Sequence, residues 1–131
     1  MQKHYRIVLI EDNPADAVLI KKTLTREASC EIITISDGDK AYRYFEDFSN
    51  MGSVPDLVVL DLNLPGRDGC EVLDLIRRTP ALREIRVAVV SSSPQDVIEQ
   101  KALKADCYIM KPSDLDEFLA IGKELLKCVR T

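Results

Sequence analysis

Long apolar runs, paired metal-binding cysteines, clustered histidines and a surplus of positive charge are all missing from this chain. No apolar stretch approaches the ~20 residues a helix needs to cross a bilayer, so no membrane partner is expected. Met1 to Ile10 opens with basic residues, but its short apolar stretch runs straight into Glu11 and Asp12. It has neither the long apolar region nor the small-residue cleavage site of a signal peptide, and a cytoplasmic protein is expected. Lys and Arg number 18 against 22 Asp and Glu, a net charge of −4 that argues against a nucleic-acid partner. Cys30, Cys70, Cys107 and Cys128 form no C-x-x-C pair and lie far from the single histidine, His4. That spacing argues against a zinc site, and free thiols in a reducing compartment are expected. Linkers, repeats and low-complexity tracts are absent too, so residues 1–131 are expected to form one domain.

What the chain does have is alternation. Short apolar runs recur at Ile7–Ile10, Ile32–Ile35, Leu57–Leu60, Val87–Val90 and Tyr108–Met110, as for strands covered on both faces of a parallel sheet. Between them lie helical patterns. Asn13-Pro14-x-Asp16 is a start signal with a cap, a first-turn proline and a first-turn acid, followed by Ala17, Ile20, Leu24 and Ala28. Ala41, Phe45 and Phe48 mark a second helix after Asp37-Gly38; Val72, Leu73 and Ile76 mark a third, opened by Asp68. A weaker fourth runs through Pro94, Val97, Ile98 and Leu103, and the last spans Leu115 to Val129 with Ser113 as its cap. Parallel strands need helical crossovers, and right-handed crossovers place helices on both faces. The pattern predicts a doubly wound α/β domain of (βα)₅ type.

In such sheets ligands bind beyond the carboxyl ends of the strands. Those ends carry Glu11 and Asp12, then Asp61, Ser91, and Lys111 followed by Pro112. Singly, each is ordinary loop chemistry; together, at successive strand ends, they are a candidate site. Like-charged carboxylates in one place raise each other's pKa. Lys111 offsets one of the three, and a divalent ion would cancel the remainder. Mg²⁺ takes hard oxygens, keeps several waters, and is often bound by one or two carboxylates plus a phosphate oxygen. Asp61 ends the central run and suits the nucleophile of an aspartyl-phosphate, with Glu11 and Asp12 as the metal-holding pair. Lys111 and the cation would then neutralise charge on the transferring group.

These residues resemble the receiver domain of two-component response regulators over essentially all of the chain. The match rests on Glu11-Asp12, on Asp61 within Leu60-Asp61-Leu62-Asn63-Leu64-Pro65-Gly66-x-Asp68-Gly69, on Ser91, and on Lys111-Pro112. The resemblance implies a flavodoxin-like five-stranded sheet in order 2-1-3-4-5, and phosphoryl transfer to Asp61 from a sensor histidine kinase. It implies a Mg²⁺ ligand set of Glu11, Asp12, Asp61 and the Asn63 backbone carbonyl, with Ser91 and Lys111 meeting the phosphoryl group. Glu11-Asp12-Asn13-Pro14-Ala15-Asp16 and Ala105-Asp106-Cys107-Tyr108-Ile109-Met110-Lys111-Pro112 are closer to the receivers paired with phytochrome-type kinases, as is the somewhat long loop Asp47–Pro55. That subgroup lacks an output domain. It implies signalling through a phosphotransfer protein, a downstream effector, or a homodimer built on the fifth strand and fifth helix.

The same resemblance makes Tyr108 an aromatic that turns inward when Ser91 moves; otherwise it is a half-buried strand residue. Ser91 is that switch or a loop cap, with Ser93 the better cap. Ser93 and Asn63 occupy positions that tune dephosphorylation. Pro112 is expected to follow a cis peptide bond, which X-Pro linkages permit cheaply. Gly66 and Gly69 read as turn glycines, Tyr42, Tyr44, Phe45 and Phe48 as core and surface aromatics, and His4 as a solvated terminal residue. No turnover of a separate substrate is expected. A haloacid-dehalogenase-type phosphatase would carry Asp-x-Asp on the first strand, and a flavin module a hydroxyl-rich phosphate loop there; neither fits Glu11-Asp12. A degenerate receiver serving as a phosphorylation-independent docking scaffold is the remaining alternative.

Overall fold

Side chains of a strand point alternately to its two faces, so a strand apolar at every position requires cover on both. The computed structural model, described for residues 3–48, 54–94, 97–98 and 104–130, provides it for the three central strands, while the two edge strands are only partly covered. The elements are β1 (His4–Ile10), α1 (Pro14–Glu27), β2 (Ser29–Ile35), α2 (Gly38–Glu46), β3 (Leu57–Leu60), α3 (Gly69–Arg78), β4 (Arg86–Ser91), β5 (Cys107–Met110), α4 (Leu115–Leu119) and α5 (Ile121–Arg130). The strands form one parallel sheet in the order β2-β1-β3-β4-β5, as expected. Ile7 and Leu9 of β1, Leu57 and Val59 of β3, and Ala88 and Val90 of β4 pack under α1 and α5. Val8 and Ile10, Val58 and Leu60, and Val87 and Val89 face α2 and α3 around Phe45, Val72 and Ile76.

Edge strand β2 and its neighbour β1 run longer than their apolar runs. β1 and β2 pair in register from His4 opposite Ser29 to Ile10 opposite Ile35. β1 is buried from Ile7 to Ile10, whereas on the edge strand β2 only Ile35 is buried and Ile33 is exposed, so there the apolar run marks the strand without marking its burial. His4 is exposed, and its ring nitrogen Nδ1 lies 2.7 Å from Ser29 Oγ. Of the weak fourth helical pattern, Val97 and Ile98 are helical, with the Ile98 N–H on the Pro94 carbonyl at 3.0 Å; Leu103 lies outside the described residues. The loop Asp47–Pro55 is described only at its two ends.

Caps fix where the helices begin. Asn13 Oδ1 accepts from the N–H groups of Ala15 and Asp16, with Pro14 in the first turn of α1. Asp37 and Asp68 cap α2 and α3 in the same way, accepting from Lys40 and Cys70. At the C-terminal helix the sequence reading needs three corrections. Asp114 rather than Ser113 is the cap, accepting from the Asp116 N–H at 2.7 Å. The expected single helix is divided at Ala120 into α4 and α5. Thr23 of α1 causes the division: its buried hydroxyl donates to the Leu119 carbonyl (2.5 Å) and accepts from the Gly122 N–H (3.0 Å), taking both groups out of the helical ladder. Finally, Cys107 and Cys128, expected as free thiols, are joined in a disulfide. The topology packs the start of β5 against the inner face of α5, bringing together residues 21 apart in sequence. Cys30 and Cys70 remain thiols.

Candidate functional site

Backbone hydrogen bonds between neighbouring strand ends build the carboxyl rim of the sheet. The Glu11 N–H binds the Ile35 carbonyl at 3.0 Å, that of Asp61 binds Ile10 at 3.0 Å, and that of Lys111 binds Ser91 at 2.7 Å. Each polar residue is thereby registered against the strand beside it. The side chains then converge. Lys111 Nζ lies 2.7 Å from Glu11 Oε1, 2.9 Å from Asp16 Oδ2 and 3.1 Å from Asp61 Oδ2. Glu11 and Asp61 are buried and Asp12 is exposed, and one oxygen from each of these three lies within 4.8 Å of the others.

Packing these charges together has electrostatic consequences. Burial pushes the Glu11 carboxyl up to about 7; the Lys111 bond pulls it down, while the facing Asp61 carboxylate adds to the rise. Burial also works against the Lys111 ammonium, but the bonds to Glu11 and Asp16 and the charge of Asp61 prevail and raise its pKa above the ordinary lysine range. A cluster of hard carboxylate oxygens, its Glu11 member carrying the cost of burial, fits a divalent cation at Glu11, Asp12 and Asp61.

The other expected residues lie on the same rim in different settings. The Asn63 N–H donates to Asp61 Oδ1 at 3.0 Å, setting the peptide of Asn63 beside that carboxylate. Ser91 is fully buried, and its Oγ accepts from the Ser93 N–H at 3.2 Å. Tyr108 is half-buried on β5. Gly66 has a φ of 78°, a turn conformation that glycine adopts without strain, and Gly69 is the first residue of α3. The expected cis bond before Pro112 is not found: the Lys111–Pro112 peptide is trans. Lys111 reaches its carboxylates with the trans bond, which X-Pro linkages prefer by roughly 0.5–1 kcal/mol, so nothing at the site calls for the rarer isomer.

Asp16 is the site residue that sequence reasoning missed. A first-turn acid has a sufficient local explanation in the partial positive charge of a helix N-terminus. The available signal was positional: only Glu11, Asp12 and Asn13 separate β1 from α1, so the first turn of α1 lies at the rim. Asp16 and Lys111 also line an open groove of about 650 Å³ that continues past Met110 and Leu115.

Comparisons with known proteins agree with this geometry. Residues 7–122 match the model of the response regulator receiver domain. The response regulator Rcp1 of Synechocystis is 36% identical over 130 residues, covering 95% of this chain and 83% of that protein. The crystal structure of the phosphorylated cyanobacterial phytochrome response regulator RcpA superposes with a TM-score of 0.86 at 36% identity, covering 97% of this chain and 94% of that one. The Mn²⁺-bound form of Rcp1 gives a TM-score of 0.83 at 29% identity, covering 97% and 96%. Sheet order, rim chemistry and these likenesses lead to one assignment: the chain belongs to the response regulator receiver domain family.

Proposed function

We propose that this chain accepts a phosphoryl group on Asp61 from a sensor histidine kinase, in a reaction that depends on Mg²⁺. The observation that carries the reading is the setting of Asp61. It is a buried carboxylate at the end of the central strand, bonded to Lys111 and set against the Glu11 and Asp12 carboxylates. One Asp61 oxygen forms the new O–P bond as the P–N bond of the kinase phosphohistidine breaks, and the leaving imidazole keeps the electron pair. Glu11, Asp12, Asp61 and the Asn63 carbonyl would hold the cation, which when bound neutralises charge on the phosphoryl oxygens. Lys111 supplies a second positive charge beside Asp61. The chain turns over no separate substrate; it is both catalyst and acceptor.

Phosphorylation shifts an existing equilibrium only as far as its differential contacts allow, and Ser91 and Lys111 supply those contacts. Ser91 draws its loop inward, Tyr108 follows, and the surface of β5, α4 and α5 carries the signal. Asn63 and Ser93 set the lifetime of the phosphate. The likeness to RcpA and Rcp1 supports a phytochrome-type kinase as donor. The output runs through a homodimer on the β5–α5 face, or through a phosphotransfer protein or downstream effector, in the cytoplasm. No helix among the described residues is long and apolar enough to cross a membrane. Incubation with acetyl phosphate, with and without Mg²⁺, followed by intact mass measurement tests the reading beside Asp61→Asn. A gain of one phosphoryl group that requires both Mg²⁺ and Asp61 is expected. No gain in the presence of bound Mg²⁺ would overturn it and favour a docking scaffold.

A further inference from the structure

An ammonium has three N–H donors. In this protein Glu11, Asp16 and Asp61 engage the Lys111 ammonium at 2.7, 2.9 and 3.1 Å. The partners are not equivalent. Glu11 and Asp61 belong to the cluster suited to a divalent cation, whereas Asp16 stands outside it. When a cation enters, the oxygens of Glu11 and Asp61 are shared with it, and a lysine lying between them repels the newcomer. Asp16 is the one partner whose bond to Lys111 costs the cation nothing.

Its placement is firm. The Asp16 backbone N–H is bonded to the Asn13 cap at 3.1 Å, which ties the carboxylate to the first turn of α1. From there Oδ2 reaches a lysine 95 residues away. The contact is partly screened, since the Asp16 side chain is 23% exposed against 10% for Lys111. Of the three partners it is the one most open to solvent.

We propose that Asp16 is a positioning residue for phosphoryl transfer. It takes one of the three donors of the Lys111 ammonium, so that Glu11 and Asp61 do not hold the lysine alone, and keeps it ready for the incoming phosphoryl group. This rests on the acceptor reading above. In Asp16→Asn the ammonium loses its third anionic partner and is left to Glu11 and Asp61 alone, so cation binding weakens and phosphorylation slows. Removing any nearby negative charge would also weaken cation binding through the general field, so the decisive measurement is a cycle with Lys111.

Mn²⁺ affinity is measured by titration calorimetry for the wild type, Asp16→Asn, Lys111→Met and the double variant, with Lys111→Ala as a second lysine-free background. Asp16→Asn is expected to weaken Mn²⁺ binding by about five-fold or more when Lys111 is present, and by less than about two-fold when it is absent. Equal losses in both backgrounds, or no loss in either, would overturn the proposal. Rates of phosphorylation by acetyl phosphate at saturating Mg²⁺ give a second readout, expected to fall for Asp16→Asn; an unchanged rate would overturn the claim on Lys111 presentation. A wild type that gains no phosphoryl group defeats the acceptor reading instead, and the Mn²⁺ cycle still decides whether Asp16 positions Lys111.

Discussion

Replacing Thr23 with valine removes one hydroxyl and leaves the shape of the side chain almost unchanged. Two polar groups then lose their partner: the buried Gly122 N–H and the partly buried Leu119 carbonyl. An unsatisfied buried group costs roughly 1–3 kcal/mol, with less for a carbonyl that water can reach, so a total near 2.5 kcal/mol is expected. The helix cannot easily close the gap. A side-chain carbon on Gly122 would lie 2.6 Å from the Thr23 backbone oxygen, so α1 and α5 are already in contact there. With an unfolding entropy of about 2.1 cal/mol/K per residue, a loss of about 2.5 kcal/mol lowers Tm by about 9 °C in a chain of 131 residues. Urea unfolding followed by far-ultraviolet circular dichroism measures the difference, with Thr23→Ser as the variant that keeps the hydroxyl. A loss below about 0.5 kcal/mol at unchanged m-value would refute the bridging role.

Further expectations concern the rim and the far end of the sheet. Glu11 has a native pKa raised from 4.5 to about 7, so the native state holds its proton more tightly than the unfolded chain does. In a chelator, its contribution is fully present below pH 4.5 and is lost as pH rises through 7, on the order of 3 kcal/mol relative to Glu11→Gln. Saturating Mg²⁺ should abolish that slope; an identical pH profile for the wild type and Glu11→Gln in chelator would count against it. The Cys107–Cys128 link closes a loop of 21 residues, for which chain entropy gives about 3 kcal/mol, so reduction or Cys107→Ser should lower urea stability by up to that amount. Equal stability with and without reductant would contradict the link. At the opposite rim, the Arg77 guanidinium donates to the carbonyls of Lys104, Arg83 and Ile85 and to Asp106. Arg77→Met should cost about 3 kcal/mol in the same unfolding assay while leaving acetyl phosphate labelling intact; a stability within about 0.5 kcal/mol of wild type would deny the clamp.

The parts of this fold that could be read in the sequence are those whose cause is local. Apolar runs locate the doubly covered strands, and Asn13, Asp37 and Asp68 announce helix starts because a cap acts on its own next turn. The rim acids and Lys111 were readable because a parallel sheet delivers every strand end to one edge. What escaped has its cause on another element. The break at Ala120 depends on a hydroxyl of α1, and the disulfide depends on which face of α5 meets β5. Asp16 was hidden for the opposite reason: a local explanation was sufficient, so nothing demanded a remote one.

The sheet also has a consequence for how this sequence tolerates change. Among the described residues, the cluster under α1 and α5 and the cluster under α2 and α3 have no member in common. A cavity opened beside Ile20 and one opened beside Phe45 therefore relax into separate spaces, with a rigid layer of paired backbone between them. Their costs add rather than compound, because coupling between substitutions requires shared neighbours. Each layer can accordingly drift and recover on its own, and the constraint that binds the two is confined to the few residues at the strand ends.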